Sequence, residues 1–147
     1  LLFGGDAHSR LYNRVREELG LCYHIASYLE PMAGLVLVEA GVEPTDRQAV
    51  VEQVLGELAD LAQKGPSMAE FERSQALARQ RFDSAIDGRD SLVRFHYTRR
   101  LAGSNTGRDC LLRALGSVTP EAVRCVATDI RLDTVFFLAP ADALRRD

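Results

Sequence analysis

The chain has 147 residues, 46% of them apolar, and a formal net charge of -3 with both signs mixed along its length, which suits one domain with a real core. That charge gives no basic field of the kind nucleic acid selects, and no apolar run approaches the ~20 residues that span a bilayer. Cys22, Cys110 and Cys125 are odd in number and lack CxxC spacing, so neither a disulfide framework nor a zinc knuckle is indicated, and the start has no signal-peptide layout.

A reducing cytoplasm fits these features, with the three cysteines as small buried hydrophobes rather than reactive groups or ligands. In chain order, Leu1, Leu2 and Phe3 before Gly4 and Gly5 read as the end of a helix and its glycine stop. Asp6 or Ser9 is placed to cap the helix that follows. His8, in the same loop, has no neighbours that would make it a metal ligand. Leu11, Val15 and Leu19 recur every fourth residue with Tyr12 beside them, predicting a helix that stops at Gly20. On its wheel Arg16 sits at the edge of the apolar stripe, near Tyr12 and Leu19. Tyr23 follows at the start of a strand, so a guanidinium and a phenol can share one surface, and both can donate to a peptide carbonyl.

Residues 22–29 and 35–42 read as two strands whose short link, with Pro31 and Gly34, favours an antiparallel reversal. Leu35, Val36, Leu37 and Val38 are apolar on both faces, which predicts a central strand covered at least in part on both sides. Glu39 points to solvent or to a chamber side, with no acid, base or metal partner nearby for catalysis. Thr45 and Gln48 form a capping-box pattern before the apolar stripe Val51, Val54, Leu55, Leu58, Leu61 and Ala62. Ser67 and Glu70 form a second one, opening a long helix with Phe71, Ala78, Phe82 and Ala85 on one face and a solvated Arg/Glu face opposite. Gly88 breaks the pattern, and Asp90 or Ser91 can cap a helix through Leu101.

Between Arg94 and Arg100 arginines and aromatics interleave, as in base-stacking sites. Leu92, Phe95 and Arg99 share a helical face, however, so a core-facing aromatic is the preferred reading, and His96 is isolated. Residues 103–107 form a loop before a short helix with Leu111, Leu112 and Leu115. Thr119 and Pro120 cap and start a helix through Ile130. Residues 134–138 read as the last strand, before Pro140, and residues 142–147 as a polar tail.

The stretch R-E-E-L-G-L-C-Y, from Arg16 to Tyr23, resembles the R-x-x-x-x-x-x-Y segment in the C-terminal half of pitrilysin/insulinase-type peptidases, the inverted-motif zinc metallopeptidases that include the mitochondrial processing peptidase. G-G-D-A-H-S-R-L-Y is similar to that family's glycine-rich entry to the same helix, and V-T-P-E-A-V, from Val118, to its helix opening before a final strand. The order of elements agrees over nearly the whole chain, and the implied kin are bacterial members, some without the zinc motif. The resemblance implies an α+β fold, a mainly antiparallel sheet with helices packed on one face. Residues 1–147 are then a single, partial domain whose N-terminal strand and long helix lie upstream.

The same resemblance makes Arg16 and Tyr23 substrate-binding residues that reach across a closed chamber to an extended peptide or protein substrate. His8, His24 and His96 do not form H-x-x-E-H, in which two histidines hold zinc and the glutamate is the general base. The chain alone is therefore expected to hold no metal and to cleave nothing. Zinc would sit in a homologous partner domain or subunit, within a homo- or hetero-oligomer, if the assembly is active. An inactive relative is equally compatible, as is a structural pseudo-peptidase subunit that closes a chamber without touching substrate. No G-x-S-x-G elbow, P-loop or dinucleotide fingerprint is present.

Overall fold

The first residues fold back on the helix they precede: the Arg10 and Leu11 amides donate to the Leu2 and Phe3 carbonyls at 3.1 and 2.9 Å. This computed structural model describes residues 1–84, 89–101, 103 and 106–139. The expectations at Ala85, Gly88, Pro140 and residues 142–147, and part of the 103–107 loop, lie outside them. Gly4 accepts the Ser27 amide at 2.6 Å, and a Cβ at Gly4 would stand 2.8 Å from Ser27 Oγ, so the close approach requires glycine. Asp6 and Ser9 act within the loop rather than as helix caps. Asp6 Oδ1 accepts the His8 amide, and Ser9 Oγ donates to the Asp6 carbonyl, each at 2.6 Å.

The predicted first helix is wound as a π-helix over Tyr12–Glu18. The Leu19 amide reaches the Arg14 carbonyl at 3.2 Å, five residues back. Leu11 and Val15 are fully buried, but the wider turn carries Leu19 off their line, leaving it 39% exposed. Gly20, at φ +64°, ends the segment in the left-handed region. Two antiparallel strands follow, β1 (His24–Glu30) and β2 (Leu35–Gly41), in register from His24 opposite Gly41 to Glu30 opposite Leu35. Ile25 joins Leu11, Val15, Cys22 and Val50 in the core. By the alternation of a strand, Leu29 and its partner Val36 face the helices, and Tyr28, Leu35 and Leu37 face away.

A short 3-10 turn (Pro44–Asp46) leads into α1 (Arg47–Lys64). The capping box expected of Thr45 and Gln48 does not form. Asp46 holds the cap position without a side-chain bond, Thr45 Oγ1 points to Asp46, and Gln48 reaches forward to Glu52 at 2.9 Å. The helices α2 (Met68–Ser84), α3 (Arg89–Leu101), α4 (Arg108–Ser117) and α5 (Pro120–Asp129) follow. The second capping box is made in both directions. The Ser67 amide donates to Glu70 Oε2 at 2.7 Å, and the Glu70 amide donates to Ser67 Oγ at 3.3 Å. Thr119 caps α5 by accepting the Ala122 amide at 3.1 Å, with Pro120 at the first turn. α5 lies along α1, and α4 along α2.

The architecture is α+β, with the helices packed on one face of an antiparallel sheet. Two expectations about that sheet need correction. Among the described residues β2 is not central, because the sheet has two strands and each is an edge. Leu35 to Val38 are accordingly 37–42% exposed. Residues 134–138 are not assigned to a strand: the segment joins no ladder, and Phe136 and Leu138 are 83% and 84% exposed. The chain presents 10,341 Å² of accessible surface, where a monomer of its 16.2 kDa mass typically presents about 7,500 Å².

The π winding separates two leucines that an α-helix would bury alike. Leu11→Ala is expected to lower the unfolding free energy by about 2–5 kcal/mol, and Leu19→Ala by less than about 1 kcal/mol. Urea unfolding of the two variants measures both, and equal losses would contradict the π register.

Candidate functional site

Arg10, just ahead of the π-helical segment that carries Arg16, ties the start of that segment to the end of α1 and the start of α2. Its Nε and Nη2 grip Glu70 at 2.8 and 3.2 Å, Nη1 meets Asp60 at 2.9 Å, and Nη2 also donates to the Gly65 carbonyl at 3.2 Å. The side chain is 11% exposed. Burial works against its charge, but the bonds from Glu70 and Asp60 outweigh that and raise its pKa. Burial likewise disfavours ionised Glu70, yet hydrogen bonds from Arg10 and Ser67 hold its carboxyl below the usual range. Asp60 is held low by Lys64 and Arg10. Glu57, with Arg10 no nearer than 3.9 Å, is pushed up by burial.

Six residues on, the guanidinium of Arg16 lies 4.7 Å from the centre of the Tyr12 ring, and Nη1 donates to the Tyr12 hydroxyl. Its Nε is 4.0 Å from Glu17, and the side chain is 39% exposed. The neighbourhood of Tyr12 expected from the helical wheel is thus present, although the helix is π-wound. Cys22 is buried, and that burial pushes its thiol pKa up against the opposing charge of Arg16.

Tyr23 emerges beyond Cys22, 67% exposed, with its amide on the Gly41 carbonyl at 2.8 Å. Its hydroxyl donates to the carboxylate of Glu43, and this bond raises the phenol pKa. Arg16 and Tyr23 are thus held by different partners, Tyr12 and Glu43. Beside them His24 Nε2 stands 3.8 Å from Glu39 Oε1, both side chains largely exposed. Sequence reasoning missed Arg10 and Glu43. Charge complementarity alone could not have selected Glu70 or Glu43 from among the carboxylates, because the contacts span 60 and 20 residues.

Of the three cysteines, Cys22 is buried as expected, whereas Cys110 and Cys125 are exposed; all are free thiols. Phe95 packs edge-on against Phe82 at 5.8 Å with Arg99 above it, and His96 lies against Phe95. That arrangement turns Phe95 toward α2, the packing role preferred over base stacking. Leu92 is 41% exposed and does not share it. Among the described residues no three His, Cys, Asp or Glu side chains are grouped to hold a metal ion, and no helix is long and apolar enough to cross a membrane. An open apolar groove of about 550 Å³ runs between the hairpin and the helices, lined by Leu29, Val36, Leu61, Phe71, Val123 and Val126 among others.

The family model described as the peptidase M16 inactive domain matches residues 1–77. A probable inactive metalloprotease of Bacillus subtilis, YmfF, is 29% identical over 137 residues, 93% of this chain and 32% of that protein. An uncharacterized zinc protease of Streptomyces coelicolor is 32% identical over 130 residues, covering 86% of this chain and 28% of that protein. The chain thus spans about a third of the length of these relatives. Among solved structures, a conserved protein from Enterococcus faecalis superposes with a TM-score of 0.79 at 23% identity, over 86% of this chain and 30% of that one. A peptidase M16 inactive domain from Pseudomonas fluorescens does so with a TM-score of 0.74 at 20% identity, over 85% and 31%.

The Arg10 cluster gives a testable acid response. Glu70 and Asp60 have folded-state pKa values below their ordinary ones, so the stability they contribute is full above pH ~4 and is lost as pH falls through the depressed values. Glu57, with a raised pKa, works in the opposite sense. Glu70→Gln should therefore flatten the fall in the urea midpoint between about pH 5 and 2. An unchanged acid slope would show that Arg10 does not stabilise the ionised Glu70.

Proposed function

The chain belongs to the family described as the peptidase M16 inactive domain, and from that premise we propose that it is the substrate-holding, non-catalytic half of a pitrilysin-type zinc metallopeptidase or of its inactive relative. In this reading Arg16 and Tyr23 hold an extended peptide for proteolysis by a zinc-bearing homologous domain or subunit. The observation that carries it is the presentation of Arg16. Stacked on Tyr12 and partly exposed, the guanidinium commits one N–H to the Tyr12 hydroxyl and has further donors in its fork for a ligand carbonyl. The π winding that displays it is a rare conformation, frequent at functional sites. Tyr23 stands in the open directly after the half-buried Leu21 and the buried Cys22.

A second reading, a pseudo-peptidase subunit that closes a chamber or stabilises a partner without binding substrate, is favoured by the Tyr23 hydroxyl already being engaged by Glu43. The name of one relative, a probable inactive metalloprotease, points the same way. Both readings involve association with a homologous domain or subunit. The open apolar groove and the exposed residues of β2 support that, since unpaired strand edges and contiguous apolar surface invite a partner.

In the complete assembly, Arg16→Ala and Tyr23→Phe are expected to weaken peptide binding or turnover at least about tenfold and to leave the melting temperature nearly unchanged, because surface changes rarely alter stability. If both variants unfold early, or both bind peptide as the parent does, the structural reading replaces this one. Light scattering of the 147-residue chain at high concentration should report association; a clean monomer whose strand edges are protected in hydrogen exchange would count against it.

A further inference from the structure

Both signs of charge occur throughout the chain, yet they are unequally shared. Residues 73–113 hold nine of the 18 Lys and Arg against four Asp and no Glu, whereas residues 1–72 hold five against twelve Asp and Glu. On each side the excess borders an exposed apolar strip. α3 turns Phe95 inward against Phe82, and away from that contact Val93, Tyr97 and Leu101 recur every fourth residue, 64–68% exposed. Projected down the helix axis, Arg94 and Arg100, both exposed, fall on opposite flanks of this stripe. On the hairpin, Tyr28 opposite Leu37 and Glu30 opposite Leu35 share the face turned away from the helices, with Glu39 further along the same face. All five are exposed, and Glu39 has His24 beside it at 3.8 Å.

The two strips match in chemistry and in length. Val93 to Leu101 spans about 12 Å of helix, and Leu35 to Glu39 about 14 Å of strand. An apolar stripe between guanidiniums fits a surface that is apolar between carboxylates, and the outer face of the hairpin is such a surface. Nucleic acid would meet Arg94 and Arg100 but leave Val93 and Leu101 wet, and an anionic membrane would repel the acidic excess of residues 1–72. We infer that α3 of one copy lies across the outer face of the hairpin of a second copy, with Arg94 and Arg100 against Glu30 and Glu39 and Tyr97 on Tyr28, Leu35 and Leu37. Used twice about a twofold axis, the contact closes a dimer. The accessible surface exceeds that of an ordinary monomer of this mass by more than the ~800 Å² a standard interface takes from each partner. This contact needs neither Arg16 nor Tyr23 and stands whether or not they hold a peptide.

Sedimentation velocity on the complete protein tests it through charge exchange. The parent should dimerise, and more weakly as NaCl screens the paired charges; association through the apolar groove would hold or tighten instead. The double variant Glu30→Arg, Glu39→Arg and the double variant Arg94→Glu, Arg100→Glu should each raise the dimer dissociation constant at least about tenfold, since like charges then face each other. Mixed in equal amounts, the two should associate again, because the unaltered α3 of the first meets the unaltered hairpin of the second. If either double variant melts early, the neutral pairs Glu30→Gln, Glu39→Gln and Arg94→Gln, Arg100→Gln replace it and should weaken the dimer in the same sense. A parent that stays monomeric at high concentration, double variants that dimerise as the parent does, or a mixture that fails to recover overturns the inference. So does a monomeric parent that floats with phosphatidylserine vesicles, which would make a lipid surface the occupant of the α3 stripe.

Discussion

A guanidinium taken out of water is tolerated only when its donors are met, and Arg10 meets this demand with groups far away in the chain: Glu70, Asp60 and the Gly65 carbonyl. All three belong to the corner where α1 ends and α2 begins. One buried charge therefore ties the start of the π-helical segment to that corner. The Ser67–Glu70 capping box is built on the same carboxylate, so the start of α2 and the seat of Arg10 form together. Leu11 and Val15 pack in the core with Cys22, Ile25 and Val50, and Arg16 follows with its guanidinium against Tyr12.

Elements whose signals are local were legible. The helices α1, α2, α4 and α5 lie where apolar period, capping residues and glycine or proline stops place them, and Thr119 with Pro120 marks a helix start within four residues. Features that depend on distant partners were not. A strand is defined by what pairs with it, so the apolar runs 35–38 and 134–138 could not disclose that one is an edge and the other unpaired. The spacing of Leu11 and Val15 fits α and π winding alike, and it took the hydrogen bond from Leu19 to Arg14 to separate them. Arg16 and Tyr23 stood out by their places at the stripe's edge and the strand's start and by the family resemblance, whereas Glu43, the hydrogen-bond partner of Tyr23, is joined to it only by the fold.

The hairpin connects the polar and apolar halves of the surface. Tyr23 sits just before β1, held through the Gly41 carbonyl at the end of β2, while Leu29 and Val36, at the hairpin's other end, line the groove. The two strands are thus one ladder with the phenol at one end and the groove at the other.

The accessible area well beyond that of an ordinary monomer of this mass has a calorimetric meaning. The heat capacity of unfolding follows the apolar surface that becomes hydrated, and a chain of 147 residues would ordinarily show about 1.8–2.2 kcal/mol/K. Here part of that hydration is already present in the folded state, so the increment is smaller and the stability curve flatter.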